Sequence, residues 1–207
     1  MMPIDNKAFE AIRIFFTGVG GQGTLLATRL VGEAALEEGI PVSLSEIHGM
    51  AQRGGVVESS VVAGNISSPT VADGEADILM AFEPLEAVRA LPKCHKGTYV
   101  ITSTVPIVPF TVAVGQSTYP DLERLYEFLE GKVARLVRVE AADIANQAGS
   151  EKAANIVMVG VLAALNRLPI SERSWQEALK RTIPERFLDM NRKAFDLGRQ
   201  FGLQVQN

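Results

Sequence analysis

The chain has 207 residues, 47% of them apolar and 21% charged, which suits one soluble globular domain. Twenty Lys plus Arg against 24 Asp plus Glu leave a net charge of −4, without the basic excess that draws proteins to nucleic acid or anionic membranes. A single cysteine, Cys94, excludes an intrachain disulfide and an iron–sulfur cluster built by this chain alone, and two histidines, His48 and His95, are too few for a histidine-built metal site.

Residues 1–11 hold no apolar run of signal-peptide length and carry Asp5 and Glu10, so secretion is not indicated and a cytoplasmic location is expected. Residues 12–17 are a short apolar strand ending at Gly18. Residues 22–38 then show helical spacing through Leu25, Leu26, Leu30, Ala34 and Ala35, and Gly39 closes that helix. Extended structure resumes at residues 41–45, so the first 45 residues read as a βαβ unit, which favours a parallel sheet. A polar, glycine-rich loop over 45–55 precedes a strand at 56–63. An extended stretch at 77–82, a helix at 84–91 and a strand at 97–102 continue the α/β rhythm. Residues 103–120 contain Pro106, Pro109 and Pro120, which predicts an irregular excursion over the surface or onto a partner, without a regular element. A helix at 121–130 and a strand at 134–139 follow, and from Ala141 the pattern is helical to the end, the last helix covering 184–202. The longest apolar run, residues 156–165, is about half of the ~20 needed to cross a bilayer and reads as a buried helix.

Gly18-Val19-Gly20-Gly21-Gln22-Gly23 satisfies G-x-G-x-x-G between a predicted strand and helix. Glycines there permit a tight turn and close ligand approach, and free amides at the helix start favour an anion; the same glycines also serve plain helix-to-sheet packing. No Walker lysine follows Gly23, which speaks against a phosphate-cleaving P-loop. Glu46 stands where a dinucleotide fold keeps its ribose-binding acid, so a stand-alone NAD(P)-binding oxidoreductase is the alternative function. The segment it opens, Ser45-Glu46-Ile47-His48-Gly49-Met50-Ala51-Gln52-Arg53-Gly54-Gly55, is far richer in polar residues and glycine than ribose binding requires. Arg53 before two glycines can present a guanidinium and bare amides to a carboxylate or phosphate, or form an interface salt bridge. His48 has no nucleophile beside it in sequence, so a structural hydrogen bond competes with acid–base work. Cys94 and His95, between Lys93 and Lys96, read either as an activated thiol or as a basic helix end. Asn155 reads either as a partner or cofactor contact or as a helix cap.

The glycine loop continuing as Thr24-Leu25-Leu26-Ala27, together with the 45–55 segment, strongly resembles the gamma component of 2-oxoacid:ferredoxin oxidoreductases, and the His48–Gly55 form is most similar to the small subunit of the indolepyruvate type. Ala81-Phe82-Glu83-Pro84-Leu85-Glu86-Ala87, Tyr119-Pro120 and Lys152-Ala153-Ala154-Asn155 extend the likeness over about residues 12–200. The resemblance implies an α/β fold: a three-layer Rossmann-like domain with a mostly parallel, mixed sheet and a helical C-terminal region, residues 1–207 forming one domain. It also implies a hetero-oligomer in which a large alpha-type subunit holds thiamine diphosphate, magnesium and the iron–sulfur clusters, and ferredoxin is reached through the complex. This chain alone would hold no cofactor or metal and no secure catalytic residue. Gly20, Gly21, Gln22, Gly23, Thr24, His48, Arg53, Gly54 and Gly55 are the positions expected to face the partner or CoA.

Overall fold

Along β1 (Ile12–Val19), Ile14 and Phe16 point to one side and Phe15 to the other, and all three are buried. A strand covered on both faces needs apolar side chains at successive positions, which is why its sequence reads as a continuous run. The computed structural model describes residues 11–48, 55–66 and 68–206. The remaining strands are β2 (Val42–His48), β3 (Val56–Ala63), β4 (Ala76–Ala81), β5 (Cys94–Ser103) and β6 (Arg135–Val139), all in one sheet of order β2-β3-β1-β4-β5-β6.

The helices are α1 (Thr24–Glu37), α2 (Pro84–Arg89), α3 (Phe110–Ala113), α4 (Leu122–Glu130), α5 (Ala141–Ala148), α6 (Ala154–Ala164), α7 (Glu172–Thr182) and α8 (Glu185–Gln204). One face of the sheet, through Ile14, Phe16, Ile78, Met80 and Ile101, packs against α1 and α5 to α8. The opposite face, through Ala81, packs against α2 and α4. The result is the expected α/β, three-layer, Rossmann-like arrangement with a helical C-terminal region.

The sheet is mixed in a way the βαβ reading does not anticipate. β1, β4, β5 and β6 run parallel, but β3 lies antiparallel between β1 and β2. The crossover through α1 therefore joins two strands of the same direction that are not neighbours. β3 holds them apart because it pairs with both, from Ile12↔Ala63 to Val19↔Val56 on one side and from Val42↔Ala63 to His48↔Val57 on the other. β2 also runs three residues further than the extended stretch expected at 41–45, taking in the start of the polar segment. The proline-rich excursion likewise contains a regular element, since the Val112 and Ala113 amides bond to the Pro109 carbonyl and close the single turn of α3.

The apolar run near residue 156 is the buried helix α6. It lies against α8 at backbone contact: a Cβ added to Gly160 would sit 2.2 Å from the Phe195 carbonyl oxygen, and one added to Gly198 2.1 Å from that of Val157. Among the described residues no helix is long and apolar enough to cross a membrane. The carboxyl ends of the four parallel strands gather at one end of the sheet, the place where open α/β sheets bind ligands.

Candidate functional site

The loop from β1 into α1 is braced by its own glutamine. The Val19 amide donates to Gln22 Oε1 at 2.7 Å, and Gln22 Nε2 donates to the Phe82 carbonyl at 2.7 Å, tying the glycine turn to the end of β4. The Gly20 amide donates to the Gly55 carbonyl at 2.8 Å, so the two sequence motifs meet at the same end of the sheet. Gly23 caps α1 in the left-handed region at φ 79°, and a Cβ there would fall 2.4 Å from Asn155 Nδ2, so conformation and space both require glycine. Asn155 donates from Nδ2 to the Gly23 carbonyl at 3.2 Å across 132 positions of chain. It thus braces the start of α1, while its own helix has Ala153 at the N-cap and no side-chain cap bond.

In front of this loop lies a cavity of about 300 Å³. Gly21, Gln22 and Asn155 form one wall, Phe82, Val105 and Ile107 another, and Glu151, Lys152 and Met158 contribute to the rest. Lys152 is exposed and makes no ion pair among the described residues. The α1 amides at Thr24, Leu25 and Leu26 precede the first helical hydrogen bond, and no acidic side chain occupies that turn. Thr24 Oγ1 is buried with no hydrogen-bond partner among the described residues. The start of α1 stands behind the glycine turn, and the cavity itself is largely apolar, with Lys152 and Glu151 as the charged side chains of its lining.

The outer wall hangs on one buried carboxylate. Glu83 caps α2 by accepting the Glu86 amide at 2.9 Å, and its Oε1 accepts the Ile107 amide at 3.2 Å and the Tyr119 hydroxyl. Burial, followed by the bond to Glu83, holds the Tyr119 phenol well above its ordinary range, so it remains a neutral donor. Glu83 and Tyr119 belong to two separate stretches of the family resemblance, yet neither stood among the expected site residues. Their pairing depends on a fold that brings positions 36 apart together, and no local pattern announces it.

The expected site residues fall out as follows. Gly20, Gly21, Gln22, Gly23 and Thr24 all stand in the turn or the first residue of α1, but the Gln22 amide is engaged within the protein at both ends. Gly55 is a backbone acceptor for that turn. His48 ends β2 level with Gly18, two strands over, about 10 Å by sheet spacing. Arg53 and Gly54 lie outside the described residues. Glu46 is exposed on β2 at the sheet edge with β3 between it and β1, which removes it from the ribose position of an NAD site. Asn155 is neither the cap of its helix nor free for a ligand alone. Cys94 is not an activated thiol: burial pushes it up to about 11, against the usual 9.0. It lies one residue past the short 3₁₀ turn that ends in Lys93, so the basic helix-end reading stands. Among the described residues no three His, Cys, Asp or Glu side chains converge as metal ligands.

Comparison with known proteins places this arrangement. A family profile described as pyruvate ferredoxin/flavodoxin oxidoreductase matches residues 13–201. The chain is 40% identical, over 94% of its length and 98% of the relative's, to the indolepyruvate oxidoreductase subunit IorB of Methanothermobacter thermautotrophicus. It is 37% identical, over 94% and 97% of the two chains, to that of Pyrococcus horikoshii. Among solved structures, the gamma subunit of a keto/oxoacid ferredoxin oxidoreductase from Geobacter sulfurreducens is 25% identical and superimposes with a TM-score of 0.69 over 93% of this chain and 99% of its own.

Proposed function

The chain belongs to the pyruvate ferredoxin/flavodoxin oxidoreductase family, and from that premise we propose that it is the small subunit of an indolepyruvate:ferredoxin oxidoreductase. Such an enzyme oxidatively decarboxylates an aryl-2-oxoacid to its acyl-CoA and passes the electrons to ferredoxin. The observation that carries the assignment is the likeness to IorB subunits along nearly the full length of both chains. The stand-alone NAD(P) alternative, which rests on the glycine turn and Glu46 together, loses the second of these with Glu46 at the far edge of the sheet.

Residues 1–207 act in this assignment as one domain in the cytoplasm, joined to a large subunit that carries thiamine diphosphate, its magnesium and the clusters. The donor set here does not fit those groups: the sequence has one cysteine, and the described residues offer no converging ligands. It does fit part of CoA. Lys152 and the glycine turn at Gly21 and Gln22 line one part of the cavity and would meet a phosphate, while the apolar side chains of Phe82, Val105 and Ile107 would meet a pantetheine arm. Gly20 to Thr24, with His48 and Arg53 to Gly55, are the positions assigned to face CoA or the partner.

The test is reconstitution. The large subunit, alone and with this chain, is assayed for ferredoxin reduction with indolepyruvate and CoA. Activity is expected only when both are present, and full activity from the large subunit alone would refute the assignment.

A further inference from the structure

We propose that the uncharged segment 104–119 is the face through which this chain docks on the cofactor-bearing subunit, an inference that rests on the subunit assignment above. From Thr104 to Tyr119 there is no Asp, Glu, Lys, Arg or His, in a chain where 21% of residues are charged. Such a run is ordinary in a core, but here it lies outside. Phe110 is 78% exposed and Val108 51%, with Val105, Ile107 and Val114 also exposed. Single exposed apolar residues need no explanation, whereas five within one short uncharged segment form a patch of the kind that marks a protein interface. Interface cores are poor in charge and built around aromatic anchors, and Phe110 has the exposure of such an anchor.

The segment is also fixed in advance. Its start is held by the Thr104 amide on the Val139 carbonyl at 3.0 Å. Its middle and end are held by Glu83, 1% exposed, which accepts both the Ile107 amide and the Tyr119 hydroxyl. A patch already ordered in the free chain spends little conformational freedom when it binds.

The occupant follows from what lies behind the patch. Val105 and Ile107 line the cavity at the strand ends, so a body seated on this segment also borders that cavity. In the subunit assignment the reactive groups belong to the large subunit, so it is the partner that has to reach this cavity. Permanent subunit contacts are the more hydrophobic class of interface, while a transient electron carrier is steered by charge, which this segment lacks. A second copy of this chain would cover the patch but bring no reactive group to the cavity.

The experiment measures affinity between the purified chain and the purified cofactor-bearing large subunit. Phe110→Asp is expected to weaken binding about tenfold or more, with thermal unfolding and monomer mass unchanged. Leu203→Asp, at an exposed leucine in the last turn of α8, is expected to stay within about twofold. Tyr119→Phe, which removes only the hydroxyl on Glu83, is expected to weaken binding roughly three- to tenfold and to speed amide exchange across 104–118. Binding of Phe110→Asp within about twofold of the native chain would overturn the docking face alone. So would a native self-association that Phe110→Asp abolishes while binding to the large subunit stays intact. A native chain that does not bind the large subunit at all would overturn the subunit assignment, and the docking face with it.

Discussion

Single residues here do work that their chemistry names only after the fold has placed them. Glu86 is buried on α2 with Oε1 on Arg89 Nη1 at 2.5 Å and Oε2 without a partner among the described residues. Burial outweighs the nearby Arg89 and raises its pKa above the usual 4.5. A carboxylate raised in the folded state weighs against folding as pH climbs past its unfolded value, because the unfolded chain releases that proton more readily. Glu86→Gln is therefore expected to raise the melting temperature by a few degrees at pH 8 and to match the native chain near pH 4, measured by thermal unfolding across pH. Cys94 gives a second reading of the same physics. Its alkylation by iodoacetamide should stay slow until the pH nears about 11 in the folded chain, while in denaturant the midpoint should return toward 9.0. Reactivity at neutral pH in the folded chain would contradict its burial. Arg53→Ala is expected to impair assembly or CoA-dependent turnover while leaving the melting temperature unchanged; unaltered subunit affinity and kinetics would remove Arg53 from the site.

At the scale of elements, whatever is local was legible and whatever is paired at a distance was not. The glycine turn, α1 with Gly39 closing it, and the buried α6 follow from spacing and from the few residues that tolerate such backbone. The insertion of β3 between β1 and β2 leaves no local mark, because an antiparallel and a parallel neighbour ask for the same buried apolar side chains. The short α3 was hidden for a related reason: prolines that rule out a long helix still permit one turn, with Pro109 ahead of it. Asn155 reads from sequence either as a partner or cofactor contact or as a cap, and only the packing of α6 against α1 reveals its bond to Gly23. Asn155→Ala should cost about 1–2 kcal/mol, or roughly 3–6 °C of melting temperature, by leaving the Gly23 carbonyl without that donor. At the backbone contact of α6 with α8, Gly160→Val should cost about 3 kcal/mol or more, since the added carbons meet the Phe195 carbonyl and no rotamer relieves it. A variant that melts with the native chain would show that the two helices separate more easily than their contact implies.

Taken whole, the molecule is a scaffold that brings a braced glycine turn, a lysine and an apolar wall to the carboxyl ends of four parallel strands. The motifs that carry the family resemblance, scattered along the sequence, converge there: Gly21 and Gln22 from the first, Phe82 and Glu83 from the middle, Lys152 and Asn155 from the last. The resemblance points to the glycine turn as part of the site, but the meeting of the other stretches with it needed the strand order. The central claim is that this chain shapes and positions a reaction whose reactive groups belong to its partner. The most direct measurement takes the isolated chain, shown folded by its thermal transition, and presents it with indolepyruvate, CoA and oxidised ferredoxin. No ferredoxin reduction is predicted until the large subunit is added, and sustained turnover by the isolated chain would contradict the account.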